Sequence, residues 1–202
     1  MDERRRDREA TTRALRTAAM RVFAAKGYDA ATTREVAQEA GVSEQLIQRY
    51  FNGKAGLLLS IMEAYAENDR AGAFGTPPPG DSAEAEIENF LTFNLDREMR
   101  AGEFARVAIY RSIVDPKVAA EIARMFTESR EPFIYARLSA LRDKDLINAG
   151  VNLKAISHVI SSLSFALAFN DQMLFRRDRG ELRRTIKAFA KTLARGMTTP
   201  SQ

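Results

Sequence analysis

Apolar residues recur at three- and four-residue spacing along nearly the whole 202-residue chain, and no segment alternates with the two-residue period of a strand. A chain patterned in this way hides its apolar surface by packing helix on helix, so the expected fold is all-α. The first stripe, Leu15, Ala18, Ala19, Val22 and Phe23, ends at Gly27, a residue suited to close a helix. Thr32 and Glu35 have the spacing of a capping box and open a short helix with Val36, Ala37 and Ala40 on its inner face. Gly41-Val42-Ser43 ends that helix and starts another: glycine supplies the turn, Ser43 the N-cap, and Glu44 a negative charge on the positive helix end. Leu46 or Ile47, with Tyr50 and Phe51, packs this third helix, Asn52-Gly53 breaks it, and a fourth follows over residues 55–70.

Pro77, Pro78 and Pro79 cannot all lie inside a helix. They divide the chain into an N-terminal domain over residues 1–71, a stiff connector over 72–81 and a larger helical domain over 82–202. Further helices are expected at about 82–100, 102–114, 116–129, 132–144, 153–175 and 181–195, with Gly196 as an end cap. Pro132 either opens a helix or kinks a longer one.

One His and no Cys remove thiol chemistry, disulfides and an ordinary zinc site, so neither metal nor cofactor is expected. No nucleophile elbow, phosphate-binding loop or dinucleotide fingerprint is present, and no catalytic residue is assigned. The charged residues 1–16 do not read as a secretory signal, no apolar run approaches about 18 residues, and a cytoplasmic chain without a membrane partner is expected. Residues 1–60 hold 11 Lys/Arg against 8 Asp/Glu, most of the net charge of +4, which points to an anionic partner at the front of the chain.

That front third has the form of a helix-turn-helix over residues 32–51: a short glycine turn sets two helices at a steep angle and lets the second enter a major groove. Thr12 to Tyr28, Thr32-Thr33-Arg34-Glu35-Val36-Ala37-Gln38-Glu39-Ala40-Gly41-Val42-Ser43, and Tyr50-Phe51-x-x-Lys54-x-x-Leu57 together resemble the TetR family of bacterial transcriptional regulators. The resemblance implies a homodimer with an N-terminal DNA-binding domain and a larger helical domain that binds a small molecule and dimerises. In most members the ligand releases a repressor from DNA. It further implies that Thr32, Thr33 and Lys54 hold DNA phosphates, that Arg34 reaches a base, that Ser43, Glu44, Gln45, Leu46, Gln48 and Arg49 belong to the recognition helix, and that Tyr50 touches the backbone. Gln45, Leu46 and Gln48 depart from the small residue, the small residue or Thr, and the Tyr usual at those positions. A glutamine can pair with adenine and a leucine can meet a thymine methyl, so the resemblance does not fix the operator sequence. Arg4, Arg5, Arg6 and Arg8 form either a minor-groove arm or, because acidic residues alternate with them, a solvated terminus.

In the back of the chain, Ile156, Val159, Ile160, Leu163 and Leu167 form one stripe and Ile186, Phe189 and Leu193 another. Two such helices suit a four-helix interface across a two-fold axis, or else they close the subunit's own core. An effector pocket is expected among Phe90, Phe93, Asn94 and Tyr110, then Met125, Phe126 and Tyr135, then His158, Phe165, Phe169 and Asn170, mostly apolar walls with few polar groups. The function that results is a repressor, not an enzyme, bound to a near-palindromic duplex operator and released by a small apolar effector. A helical enzyme or a protein-binding adaptor is the alternative.

Overall fold

The computed structural model describes residues 2–198, without the side chains of residues 2–4, 70 and 98–104. Met1 and the side chain of Arg4 therefore lie outside the described residues. Every regular element among those described is helical. The helices are α1 (Asp2–Lys26), α2 (Thr33–Ala40), α3 (Gln45–Phe51), α4 (Lys54–Arg70), α5 (Ala83–Ser112), α6 (Pro116–Met125), α7 (Glu131–Arg142), α8 (Leu153–Ala166) and α9 (Arg179–Met197). Phe126–Arg130 and Leu167–Leu174 are π-helical.

Two helices expected on either side of residue 101 are one, since Gly102 costs α5 too little to interrupt a 30-residue helix. Pro132 stands in the first turn of α7, directly after the π-helical segment, where Glu131 N–H donates to the Phe126 carbonyl. The wider turn accommodates a residue with no N–H to give. Gly196 lies inside α9 and does not cap it.

The chain forms two units, and their boundary corrects the expected one. The first unit comprises the segment up to Ala71 together with Gly102–Ala123; the second comprises Gly72–Ala101 and the chain from Arg124 onward. Residues 102–123 thus do not belong with 82–101, because Ala108 and Val118 are buried in the same apolar cluster as Leu15, Phe23, Val36, Ile47 and Leu58. The second core joins Ile87, Phe90 and Leu91 of α5 to Ile134 and Leu138 of α7, Ile160 of α8 and Ile186 and Ala190 of α9.

Within the second unit, the proline run is anchored by a carboxylate. Glu86 is buried, its Oε2 accepts from Gly80 N–H at 2.8 Å and from Arg137 Nη2 at 3.0 Å, and its Oε1 lies 2.9 Å from Arg137 Nε. Asp96 receives Arg179 at 2.5 Å and Arg183 at 2.7 Å, which ties α5 to α9. Burial works against the Asp96 charge, but the two guanidinium hydrogen bonds outweigh it and hold the carboxyl below its usual range.

The segment Leu153–Leu174 has the length and apolar composition of a membrane-crossing helix, a match that a search for uninterrupted apolar runs overlooks because serines are scattered through it. Leu153, Ile160, Leu167 and three of those serines, Ser157, Ser161 and Ser164, are buried in the second unit.

Candidate nucleic-acid interface

The start of α2 is fastened from both sides. Thr32 is extended (φ −109°, ψ 152°), its hydroxyl accepts from Glu35 N–H at 3.2 Å, and its own N–H donates to Glu35 Oε2 at 3.0 Å. Lys26 donates to the other Glu35 oxygen at 2.5 Å, which links the end of α1 to the start of α2. The Lys26 hydrogen bond first, then those from the Thr32 N–H and hydroxyl, hold the Glu35 carboxyl at about 2 instead of 4.5. A carboxyl lowered on folding stabilises fully above its unfolded value and loses that contribution as pH falls toward its folded value. Glu35→Gln should therefore be less stable than the parent at pH 7 and converge with it between about pH 4.5 and 2. Chemical denaturation at stepped pH measures this, and two curves parallel across that range would contradict the assignment.

The turn closes as the glycine requires. Gly41 has φ 68°, its N–H donates to the Gln38 carbonyl at 3.2 Å, and Val42 N–H donates to the Ala37 carbonyl at 3.0 Å. Ser43 does its capping one residue early: its hydroxyl accepts from Gln45 N–H at 3.3 Å, while Glu44 occupies the half-helical position with no side-chain cap of its own. The Glu44 carboxylate instead accepts the Thr33 hydroxyl at 2.6 Å, bridging the starts of α2 and α3.

Ile47 and Phe51 anchor α3 in the core. Gln45, Gln48 and Arg49 consequently face solvent, with Leu46 and Tyr50 half-buried, and Arg34 of α2 is exposed as well. Gln48 Nε2 donates to Asn52 Oδ1 at 3.0 Å, which limits the rotamers of that exposed side chain. At the corner into α4, Asn52 (φ 58°) and Gly53 (φ 98°) both take left-handed backbone. The protruding helix is therefore set by main-chain geometry at both ends.

Lys54 is differently employed from the expectation. Its ammonium donates to the carbonyls of Tyr28 (2.8 Å), Asp29 (3.3 Å) and Ala31 (2.8 Å), and it lies 4.5 Å from the Tyr28 ring centre. An ammonium has three N–H groups, and the loop before α2 engages all of them.

The sequence reading did not single out Tyr28 or Arg111. The Arg111 guanidinium lies over the Tyr28 ring, 4.8 Å from its centre, is 3.4 Å from Asp29, and hydrogen-bonds Asp115 at 3.4 Å. Burial pushes the Tyr28 hydroxyl up, opposed by Arg111 and assisted by Asp115 and Asp29. No local pattern announces this group, because Arg111 stands 82 residues from Asp29.

The expected pocket residues scatter. Phe90 and Asn94 are core, and Asn94 Nδ2 is used on the Phe90 carbonyl at 2.8 Å. Tyr110 belongs to the first unit, where it lines a surface hollow of about 490 Å³ with Phe23, Tyr28 and Val107. Tyr135, His158 and Asn170 are exposed, His158 with its Nδ1 3.1 Å from Glu131 Oε2. Phe126, Phe165 and Phe169 do assemble: Phe126 meets Phe165 edge-on at 5.3 Å, and Phe165 stacks on Phe169 at 5.5 Å. Phe93 and Met125 are half-buried.

Three residues of the expected dimer face are corrected. Ile160, Leu167 and Ile186 are buried within the single chain, where they close its own core. Ile156, Leu163, Phe189 and Leu193 are only partly covered, and Val159 is 53 % exposed.

Residues 15–61 match the family model described as bacterial regulatory proteins, tetR family. The HTH-type transcriptional regulator YvkB of Bacillus subtilis is 40 % identical over 58 residues, covering 29 % of this chain and 31 % of YvkB, so the match spans about a third of that relative. The HTH-type transcriptional activator FasR of Mycolicibacterium smegmatis is 26 % identical over 156 residues, 75 % of this chain and 68 % of FasR. Among solved structures, the fatty acid degradation regulator FadR from Bacillus halodurans shares the fold, with a TM-score of 0.69 at 17 % identity over 91 % of this chain and 94 % of its own.

Proposed function

The chain belongs to the tetR family of bacterial transcriptional regulators, and from that premise we propose that it binds a near-palindromic operator as a homodimer and leaves it when a small apolar effector binds. The observation that carries the DNA reading is α3 itself: Ile47 and Phe51 hold it down while Gln45, Gln48 and Arg49 project from a helix small enough for a major groove. Thr32, Thr33 and Arg34 flank it at the start of α2, where main-chain N–H groups favour a phosphate. Ser43 and Glu44 serve by orienting α3, and Leu46 offers a methyl-contacting surface.

Two half-sites are proposed because one short helix reads few bases, and a two-fold pair would set the sites about 34–36 Å apart. The half-covered face of Ile156, Val159, Leu163, Phe189 and Leu193 is the proposed contact between subunits. The effector is assigned to the second unit, beside Phe126, Phe165 and Phe169, where two π-helical segments depart from regular packing. An apolar effector accords with those rings and with the fatty acid degradation regulator among the structural neighbours. The effector acts by preferring a state with poorly spaced recognition helices, which lowers DNA affinity by the same factor that DNA lowers effector affinity. Activation is the second reading, favoured by FasR, which is named an activator.

Selection of bound duplexes from random DNA, repeated with a pool of apolar metabolites, tests the proposal. A two-fold symmetric site weakened by the pool is expected; salt-sensitive binding blind to sequence would overturn it. Gln48→Ala should change the preferred base at one position of each half-site, at about 1–3 kcal/mol, while leaving overall salt dependence alone. Identical sequence profiles for variant and parent would remove Gln48 from base reading.

A further inference from the structure

Resting on the DNA-binding reading above, we propose that the first turns of α1 extend the interface: Arg8, over the Tyr50 ring, and its neighbour Arg5 join Arg49 in gripping the phosphate backbone beside the groove that α3 enters. The resemblance places backbone contacts at the starts of α2 and α4 and at Tyr50, and gives α1 no assigned role. In the structure, Arg5, Asp7, Arg8 and Thr11 of α1 enclose a surface hollow of about 660 Å³ with Arg49 and Tyr50 of α3. The Arg8 guanidinium lies 5.2 Å from the Tyr50 ring centre. A guanidinium held over a ring by cation–π attraction keeps its charge, and its N–H groups can pair with phosphate oxygens. Arg5 lies 3.6 Å from Glu9, but both side chains are largely exposed, and such a pair is worth little in water.

Position on α3 decides the kind of contact. The N-terminal residues of a recognition helix meet base edges, so Arg49 and Tyr50, at its far end, approach the wall of the groove. Three guanidiniums stand against two carboxylates, Asp7 in the hollow and Glu9 beside Arg5, a positive surplus that suits a polyanion, and the hollow is continuous with the proposed reading surface through Arg49 and Tyr50. Because α1 is helical from Asp2, these arginines are carried on a rod along the backbone and are not a loose arm in the minor groove.

The test measures affinity of the full-length chain for its selected duplex across a salt series, with Arg8→Ala, Arg8→Lys and Asp7→Asn beside the parent. Arg8→Ala should flatten the dependence of log affinity on log salt by about 0.9 per subunit, weakening all duplexes alike and preserving their ranking. Arg8→Lys should keep the parent slope, and Asp7→Asn should tighten binding to every duplex. Methylphosphonate substitution, one position at a time, should find a phosphate whose neutralisation weakens the parent but costs Arg8→Ala nothing more.

An unchanged slope for Arg8→Ala, an altered ranking of duplexes, or an Asp7→Asn chain that binds like the parent would each overturn the proposal. A parent chain that binds all duplexes equally would instead overturn the DNA reading beneath it, so the two failures are separable.

Discussion

Replacing Lys54 with Met should abolish operator binding and lower the stability of the first unit at the same time. The ammonium donates to the carbonyls of Tyr28, Asp29 and Ala31, and methionine keeps the stem while removing every donor. Two of those hydrogen bonds are part-buried, and a bond from a charged donor contributes about 1.5–3 kcal/mol. Because the three share one donor group, their sum is less than three times that, and we expect a loss of about 2–4 kcal/mol. The loop they hold leads directly to Thr32, the cap of α2, so loosening it unseats the α2 start that α3 leans on through Glu44 and Thr33. Binding should fall for all sequences together. Chemical denaturation beside mobility shifts with selected and scrambled duplexes checks this. A Lys54→Met chain of full stability that still loses DNA would return Lys54 to direct phosphate contact.

Gly56→Ala should damage the same surface from the opposite side. A Cβ at Gly56 would overlap the carbonyl of Phe51, the last residue of α3, and main chain has no rotamer by which to move aside. Something must give at the corner where Asn52 and Gly53 already occupy left-handed backbone. Overpacking of this kind costs about 3 kcal/mol or more, and a unit of this size would then melt about 10 °C lower or further. Because relief of the clash requires turning α3 against α4, chains still folded at low temperature should bind the operator poorly. A thermal scan and an affinity measurement at 10 °C provide the check. A variant melting with the parent would show that the corner is looser than its geometry indicates.

Local features of the first unit were legible because each is settled within a few residues. The Thr32–Glu35 capping box, the left-handed Gly41 and the Asn52-Gly53 break all arise from bonds or clashes between near neighbours. Helical period likewise placed Phe51 inward but left Leu46 and Ile47 as alternatives and counted Tyr50 with them; the structure buries Ile47 and leaves Leu46 and Tyr50 half-covered. Period fails where a helix is apolar on more than one side. Ile156, Val159, Ile160, Leu163 and Leu167 read as one stripe, yet Ile160 and Leu167 face the core while Val159 is open, because α8 is covered from one direction and then widens into a π-helical segment.

That the chain would be helical, and where α2 and α3 would start and stop, follows from interactions spanning three or four positions, and such interactions are written in the order of the residues; the continuity of α5 through Gly102 and of α9 through Gly196 is not. The employment of Lys54 on a loop more than 20 positions earlier, the meeting of Arg111 with Asp29, and the return of Gly102–Ala123 to the first unit are of another kind. Each depends on which apolar faces find one another after the helices exist. That choice is made by burial, which is blind to separation along the chain and therefore leaves no periodic mark in it.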